Sequence, residues 1–220
     1  RRAVLPFAAP VLPVKPATLI GHPLAQQRLA TLRDEATGVE AFRRALGQLG
    51  LILLTEATRD LAVKNKRVRT PLATAPAQVL RHEILLVPIL RAGQGLISLA
   101  DQLLPEARIG YLGMARNETT LEPESYLEKL PPRLGKYEVL ICDPMLATGG
   151  SAIAAGQLLQ KRGAKHLRFL HALAAPEGVR ALRRHFRDEP IFTAAIDEKL
   201  NENGFIHPGL GDAGDRCFGC

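Results

Sequence analysis

The chain has 220 residues, 46% hydrophobic and 23% charged, a balance that excludes wholesale disorder. Its longest apolar runs fall far short of the ~20 residues that a membrane-spanning helix needs. Lysine and arginine outnumber aspartate and glutamate by 29 to 22, and the net charge of +7 suits contact with nucleic acid or a site for a small polyanion.

Arginine outnumbers lysine by 21 to 8, which favours planar, bidentate recognition of phosphate, yet the positive residues are spread along the chain. The densest patch, Arg183 to Arg187, reads equally well as a solvated helix face. Three cysteines, Cys142, Cys217 and Cys220, argue against a disulfide framework and for a reducing compartment. The CxxC at Cys217 and Cys220 lacks enough soft ligands nearby for a metal site, so incidental thiols are expected. No secretory signal pattern opens the chain, and a cytoplasmic protein is expected.

Residues 1–20 carry four prolines and read as an extended arm without its own core. Residues 23–35 follow as an amphipathic helix with Leu24, Leu29 and Leu32 on one face. A second helix over 40–61 carries Phe42, Leu46, Leu49, Leu53 and Ala57 at helical spacing. Residues 63–82 hold short β-like pieces broken by Pro71 and Pro76. Five apolar strands are then expected at 84–89, 107–114, 137–142, 167–175 and 191–196, each reading as a strand buried on both faces. Helical stretches at 95–104, 151–163 and 176–186 lie between them. The alternation predicts an α/β fold, a five-stranded parallel sheet with helices on both faces. The Gly-, Asp- and Asn-rich residues 197–220 read as ordered functional loop.

The segment VLICDPMLATGGSA, residues 139–152, carries the strongest chemical signal. A buried strand ends in Asp143, and a short loop reaches Thr148, Gly149, Gly150 and Ser151 at the start of a helix. That arrangement offers backbone N–H groups at a helix N-terminus, at the carboxyl end of a central strand, where open α/β sheets bind ligands. It lacks the GK[ST] of a Walker loop and the GxGxxG of a dinucleotide fold. From the pattern alone, an ordinary Gly-rich turn fits it as well.

DPMLATGGS resembles the phosphoribosyl-diphosphate (PRPP) loop of type I phosphoribosyltransferases, and within them the uracil phosphoribosyltransferase family. Pro144 stands where most of the superfamily has a second acid. PILRAG at 88–93, MARNETTLEPESYLEKLP at 114–131 and NGFIHPGLGDAGDRCFG at 203–219 agree with that family in order. The similarity spans residue 20 to the end. It implies that Asp143 holds the ribose hydroxyls and that the loop Pro144, Met145, Leu146, Ala147, Thr148, Gly149, Gly150 and Ser151 wraps PRPP and its 5′-phosphate. It further implies that Arg91 and Arg116 clamp the pyrophosphate. Ile206, Gly211, Asp212 and Ala213 would read uracil largely through main-chain groups, with Asp212 also facing PRPP or its Mg²⁺.

The activity so implied is uracil + PRPP ⇌ UMP + pyrophosphate, in pyrimidine salvage. Mg²⁺ would be held mainly through PRPP, in a homodimer or homotetramer with GTP as a candidate activator. A small hood from 63–82 and 197–220 would close over the base, and the polar loop from Arg116 to about 131 would act as a lid. His207 stands where the family's pattern is aliphatic, so an altered base affinity or pH response is expected there.

Taken singly, Arg91 reads as a surface turn residue, Arg116 as a loop ion pair, Asp212 as a turn former and His207 as an exposed histidine. Their joint occurrence in family order outweighs those readings. Three other functions compete. An RNA-binding regulator on the same fold would need RNA contact. A transferase for a purine or orotate usually carries the double acid that Pro144 breaks. A phosphate-binding structural module would leave Arg91, Arg116 and the 203–219 segment unexplained.

Overall fold

The computed structural model describes residues 16–116 and 123–220. Strand β1 (Thr18–Leu19) leads into helices α1 (Pro23–Arg33) and α2 (Val39–Ala57). A hairpin of β2 (Val63–Arg69) and β3 (Thr74–Leu80) precedes β4 (Glu83–Leu90), the short α3 (Ala92–Leu96), β5 (Arg108–Ile109), β6 (Tyr111–Arg116) and β7 (Pro123–Lys129). Next come β8 (Tyr137–Cys142), β9 (Met145–Leu146), α4 (Gly150–Lys161), β10 (His166–Ala174), α5 (Pro176–His185) and β11 (Ile191–Ile196). Two short strands, β12 (Lys199–Leu200) and β13 (Ile206–His207), and helix α6 (Ala213–Phe218) follow. No helix among the described residues is long and apolar enough to cross a membrane.

The main sheet runs β1-β11-β10-β8-β4-β6-β7, with β5 also on β4 and β9 on β10. Every pairing in it is parallel except β6 with β7. The five expected strands form its centre, but the sheet has nine. The additional strands are the two-residue β1 and β9, the antiparallel edge strand β7, and the division of the 107–114 run into β5 and β6.

Alternation along the strands builds two cores. On β8, Leu140 and Cys142 join Phe42, Leu46, Leu49 and Leu53 of α2, whereas Val139 and Ile141 join Ala152, Ala155 and Leu159 of α4 with Leu182 of α5. That two-sided burial is why β8 is apolar without a break. Each large α2 side chain taken out of water contributes about 1.5–3 kcal/mol.

Several expectations shift in detail. Leu24 is exposed, and Ala25 takes its place beside Leu29 and Leu32 on the buried face of α1. The helix expected over 40–61 stops at Ala57, capped by the Thr58 N–H. The helix expected over 95–104 instead starts at Ala92 and ends at Leu96, with a 3-10 turn at Ala100–Gln102. Gly93 and Gly95 are poor helix formers, so packing against β4 and α6 sets this element rather than propensity. The strand expected over 107–114 divides at Gly110, whose N–H turns to the Leu86 carbonyl.

The arm expected over 1–20 lies outside the described residues up to residue 15. Its last part is not loose, because Thr18 and Leu19 pair with Phe192 and Thr193 and Ile20 is buried. The pieces over 63–82 form one continuous hairpin, with Pro76 opposite Arg67 in a two-stranded sheet where its missing N–H faces outward. This hairpin springs from the N-terminal end of β4, and β2 is exposed along its whole length. The stretch expected as a polar lid is partly strand, since β7 pairs back on β6; residues 117–122 lie outside the described residues.

Candidate active site

The parallel strands β4, β8 and β10 point their carboxyl ends the same way. The chain leaves β4 at Arg91, through a cis Leu90–Arg91 peptide, and leaves β8 at Asp143. Arg116 is the last residue of β6, and its side chain lies outside the described part of the structure.

After Asp143 the backbone is pinned at each step. The Pro144 carbonyl accepts from the N–H groups of both Ala172 and Leu173 at 3.0 Å. The Met145 N–H donates to Asp143 Oδ1 at 3.3 Å, and the Leu146 carbonyl accepts from Ala175 at 2.9 Å. The chain then runs through Ala147 and the exposed Thr148 to Gly149, the N-cap of α4, at a φ of 88° that favours glycine. Gly150 and Ser151 open the helix, where the first N–H groups lack intrahelical partners. A loop bounded in this way presents backbone donors and a helix dipole to an anion.

Asp143 keeps part of its surface open, yet the protein around its carboxyl pushes it up to about 7. Burial is the main cause; the Met145 N–H pulls the other way, and the nearby Asp212 charge adds to the rise. The structure thus brings Asp143 and Asp212 into electrostatic reach. Asp212 is the N-cap of α6 and accepts from the Asp215 N–H at 2.9 Å. Asp215 in turn meets Arg91 Nη2 at 3.0 Å, while Arg91 Nη1 donates to Cys220 Sγ at 2.9 Å. Arg91, Asp143 and Asp212, far apart in sequence, therefore converge at one end of the sheet.

Ile206 and Ala213 are buried in the core beside Leu210, so any contact they offer a ligand comes from their main chain. Gly211 is exposed and left-handed, with a φ of 77°. His207 is exposed, and its peptide with Pro208 is cis.

The match to known proteins agrees with this geometry. The family model described as uracil phosphoribosyltransferase matches residues 19–220. A uracil phosphoribosyltransferase of Dictyoglomus turgidum is 47% identical over 202 residues, 91% of this chain and 98% of that protein. One of Levilactobacillus brevis is 45% identical, covering 91% and 97%. The solved structure of the AQ2163 protein from Aquifex aeolicus superposes with a TM-score of 0.86 at 41% identity, over 92% of this chain and 97% of that one.

The chain belongs to the uracil phosphoribosyltransferase family.

Seen as a member of that family, the chain holds its 197–220 segment in place by contacts that the sequence did not announce. Arg33 on α1 grips Asp197 through both guanidinium arms, at 2.8 and 2.5 Å, and donates to the Gly209 carbonyl. Burial alone would raise the Asp197 carboxyl, but Arg33 and the Gly209 N–H outweigh it and hold it below the usual range. Arg216 donates to the carbonyls of Leu32, Asp34 and Leu210, and Arg43 to that of Cys217. Three arginines thus do structural work, though the composition suggested phosphate recognition.

His171 was also missed. It lies in the middle of β10, fully buried, with Nδ1 2.7 Å from the Asp143 carbonyl and Nε2 without a partner. Burial pushes it down to about 4, so the ring is neutral at pH 7 and donates from Nδ1 to that carbonyl. A histidine inside the apolar run from Phe169 to Ala175 is the signal the sequence offers for it.

Proposed function

We propose that the chain transfers the 5-phosphoribosyl group of PRPP to uracil, releasing UMP and pyrophosphate, in pyrimidine salvage in the cytoplasm. The observation that carries this reading is the convergence of Asp143, within electrostatic reach of Asp212, the loop 144–151 at the N-terminus of α4, and Arg91, paired with Asp215, at the carboxyl end of the sheet.

Asp143, at the mouth of the loop, accepts the ribose hydroxyls, and the N–H groups of Ala147 to Ser151 with the Thr148 hydroxyl hold the 5′-phosphate. Arg91 leaves Asp215 to bind the pyrophosphate, with Arg116 on its other side, so that charge is neutralised where it develops. The anomeric carbon then gains oxocarbenium character, and the uracil nitrogen attacks from the opposite face with inversion. Main-chain groups at Ile206 and Gly211 to Ala213 match the base edge; an exocyclic amine in place of an acceptor would leave a polar group unpaired there. Residues 197–220, clasped to α1 by Arg33 and Arg216, form the hood over the base; the hairpin at 63–82, expected to share that role, joins the N-terminal end of β4, away from Asp143, and takes no part in it.

The donor set also suits Mg²⁺, because Asp143 and Asp212 supply hard carboxylate oxygens within electrostatic reach of each other. Held mainly by PRPP, with Asp212 as its protein contact, the ion would supply further neutralisation of the departing pyrophosphate. A homodimer or homotetramer and activation by GTP complete the reading; sedimentation and the GTP dependence of the rate test them.

The experiment is a PRPP-dependent assay with labelled uracil, cytosine, hypoxanthine and orotate in parallel. Product from uracil alone supports the proposal. Product from another base, or from none, overturns it.

A further inference from the structure

At the opposite end of the sheet from Asp143, three side chains with metal-ligand chemistry meet. His82, Glu138 and His166 each offer one ligand atom, and these atoms all lie within 4.8 Å of one another. None of the three has a part in the transfer reaction above.

The sheet itself brings them together. Strands β10, β8 and β4 are neighbours, and His166 is registered with Glu138, which is registered with Ile84. Registered residues of parallel strands project from the same face, and His82 reaches them from the link just before β4. The His82 and His166 rings have centroids 5.2 Å apart and are tilted by 42°. Donors around a tetrahedral zinc ion lie roughly 3.3 Å apart at normal bond lengths, so modest side-chain rotations close the triad.

Glu138 is the buried member of the triad. Its residue is only 8% exposed, yet its ion pair with Arg168 Nε, at 3.8 Å, is beyond hydrogen-bond distance. Among the described residues its carboxylate accepts no hydrogen bond. Arg168 uses Nη1 for Asp60 at 2.5 Å and the Ala57 carbonyl at 3.0 Å, while its Nε faces Glu138. A mostly buried carboxylate whose nearest counter-charge stands 3.8 Å away has lone pairs free for a cation placed between it and the two imidazoles.

We propose that His82, Glu138 and His166 form a three-ligand site for a zinc-class divalent transition-metal ion. Two nitrogens and one oxygen suit that class, whereas Mg²⁺ and Ca²⁺ call for more oxygen donors. The fourth position is left to water, since His82 also borders a cavity of about 760 Å³ together with Arg81, Glu83 and Lys136. His82 lies in the two-residue link between the hairpin and β4, so the bound ion fastens the base of the exposed hairpin to β8 and β10.

The test uses the full chain, free of any affinity tag and stripped with a chelator, titrated with Zn²⁺ against a chromogenic competitor. Cobalt absorption in the visible range reports coordination geometry. One equivalent per chain, a rise in melting temperature with added zinc, and a loss of about tenfold or more in affinity in both His82→Ala and His166→Ala are expected. Both histidines are at least partly exposed, so these variants should fold, and their UMP synthesis should match the parent. Glu138→Gln keeps the shape and removes the charge, and should weaken binding similarly. No zinc bound, or zinc bound equally well by the three variants, overturns the proposal and leaves Arg168 as the sole counter-charge for Glu138.

Discussion

Gly178 of α5 faces the Ala147 carbonyl so closely that a Cβ on it would lie 2.4 Å from that oxygen and 2.5 Å from the Leu146 oxygen. The N-terminus of α5 is thus the back wall of the proposed phosphate loop. Gly178→Ala must push Leu146 and Ala147 outward or shift the helix, at a cost of about 1–3 kcal/mol. We expect a lower melting temperature and a raised KM for PRPP. An unchanged KM for PRPP would detach α5 from the loop's geometry.

Asp143 leads to a prediction about pH. Its carboxyl is raised from 3.8 to about 7, so the folded chain holds that proton longer than the unfolded chain. Stability is therefore undiminished below about 4, falls as pH rises towards 7, and bears the full cost above it, on the order of 4 kcal/mol at most. Unliganded Asp143→Asn should melt higher than the parent at pH 8.5, with the gap closing towards pH 4, while PRPP-dependent turnover collapses. Thermal melts across that range check the sign; a parent that melts higher at pH 8.5 would refute it.

His171 behaves in the opposite sense. It is a base depressed from 6.5 to about 4, so its contribution is intact above 6.5 and is lost as pH falls through that interval, by roughly 3 kcal/mol in full. His171→Phe should flatten the loss of stability between pH 7 and 4. It should also loosen Asp143, whose carbonyl it anchors at 2.7 Å, and raise the KM for PRPP. Parallel stability curves for the two proteins would contradict this.

Arg91 and Arg33 should separate in kinetics. Arg91→Ala removes a donor aimed at the departing pyrophosphate and should lower kcat on the order of 10²-fold with little change in the KM for uracil. Arg33→Ala leaves Asp197 without its guanidinium partner, should cost about 2 kcal/mol of stability, and should raise the KM for uracil by releasing the hood. Steady-state kinetics in both substrates distinguish the two patterns.

The parts legible in the sequence were those with a local cause. Continuous apolar runs marked β4, β8, β10 and β11 because burial on both faces demands them, and the Asp143 to Ser151 segment carried its own turn chemistry. Less legible were features created by contact between distant segments. Leu24 and Ala25 exchange roles because the face of α1 is set by what it packs on. The arginines at 33, 43 and 216 look like any surface charges until α1 and α2 meet the 197–220 segment, which brings Asp197 and backbone carbonyls to the first two and sets Arg216 against the end of α1. His82 and His166 lie 84 positions apart, and they meet Glu138 only because β4, β8 and β10 are neighbours in the sheet.

Transfer of the phosphoribosyl group to uracil is checked by measuring UMP and pyrophosphate together from uracil and PRPP, for the parent and for Asp143→Asn. It predicts equimolar appearance of the two products in the parent and near-complete loss of both in the variant. Pyrophosphate released without UMP, or a variant as active as the parent, would contradict it.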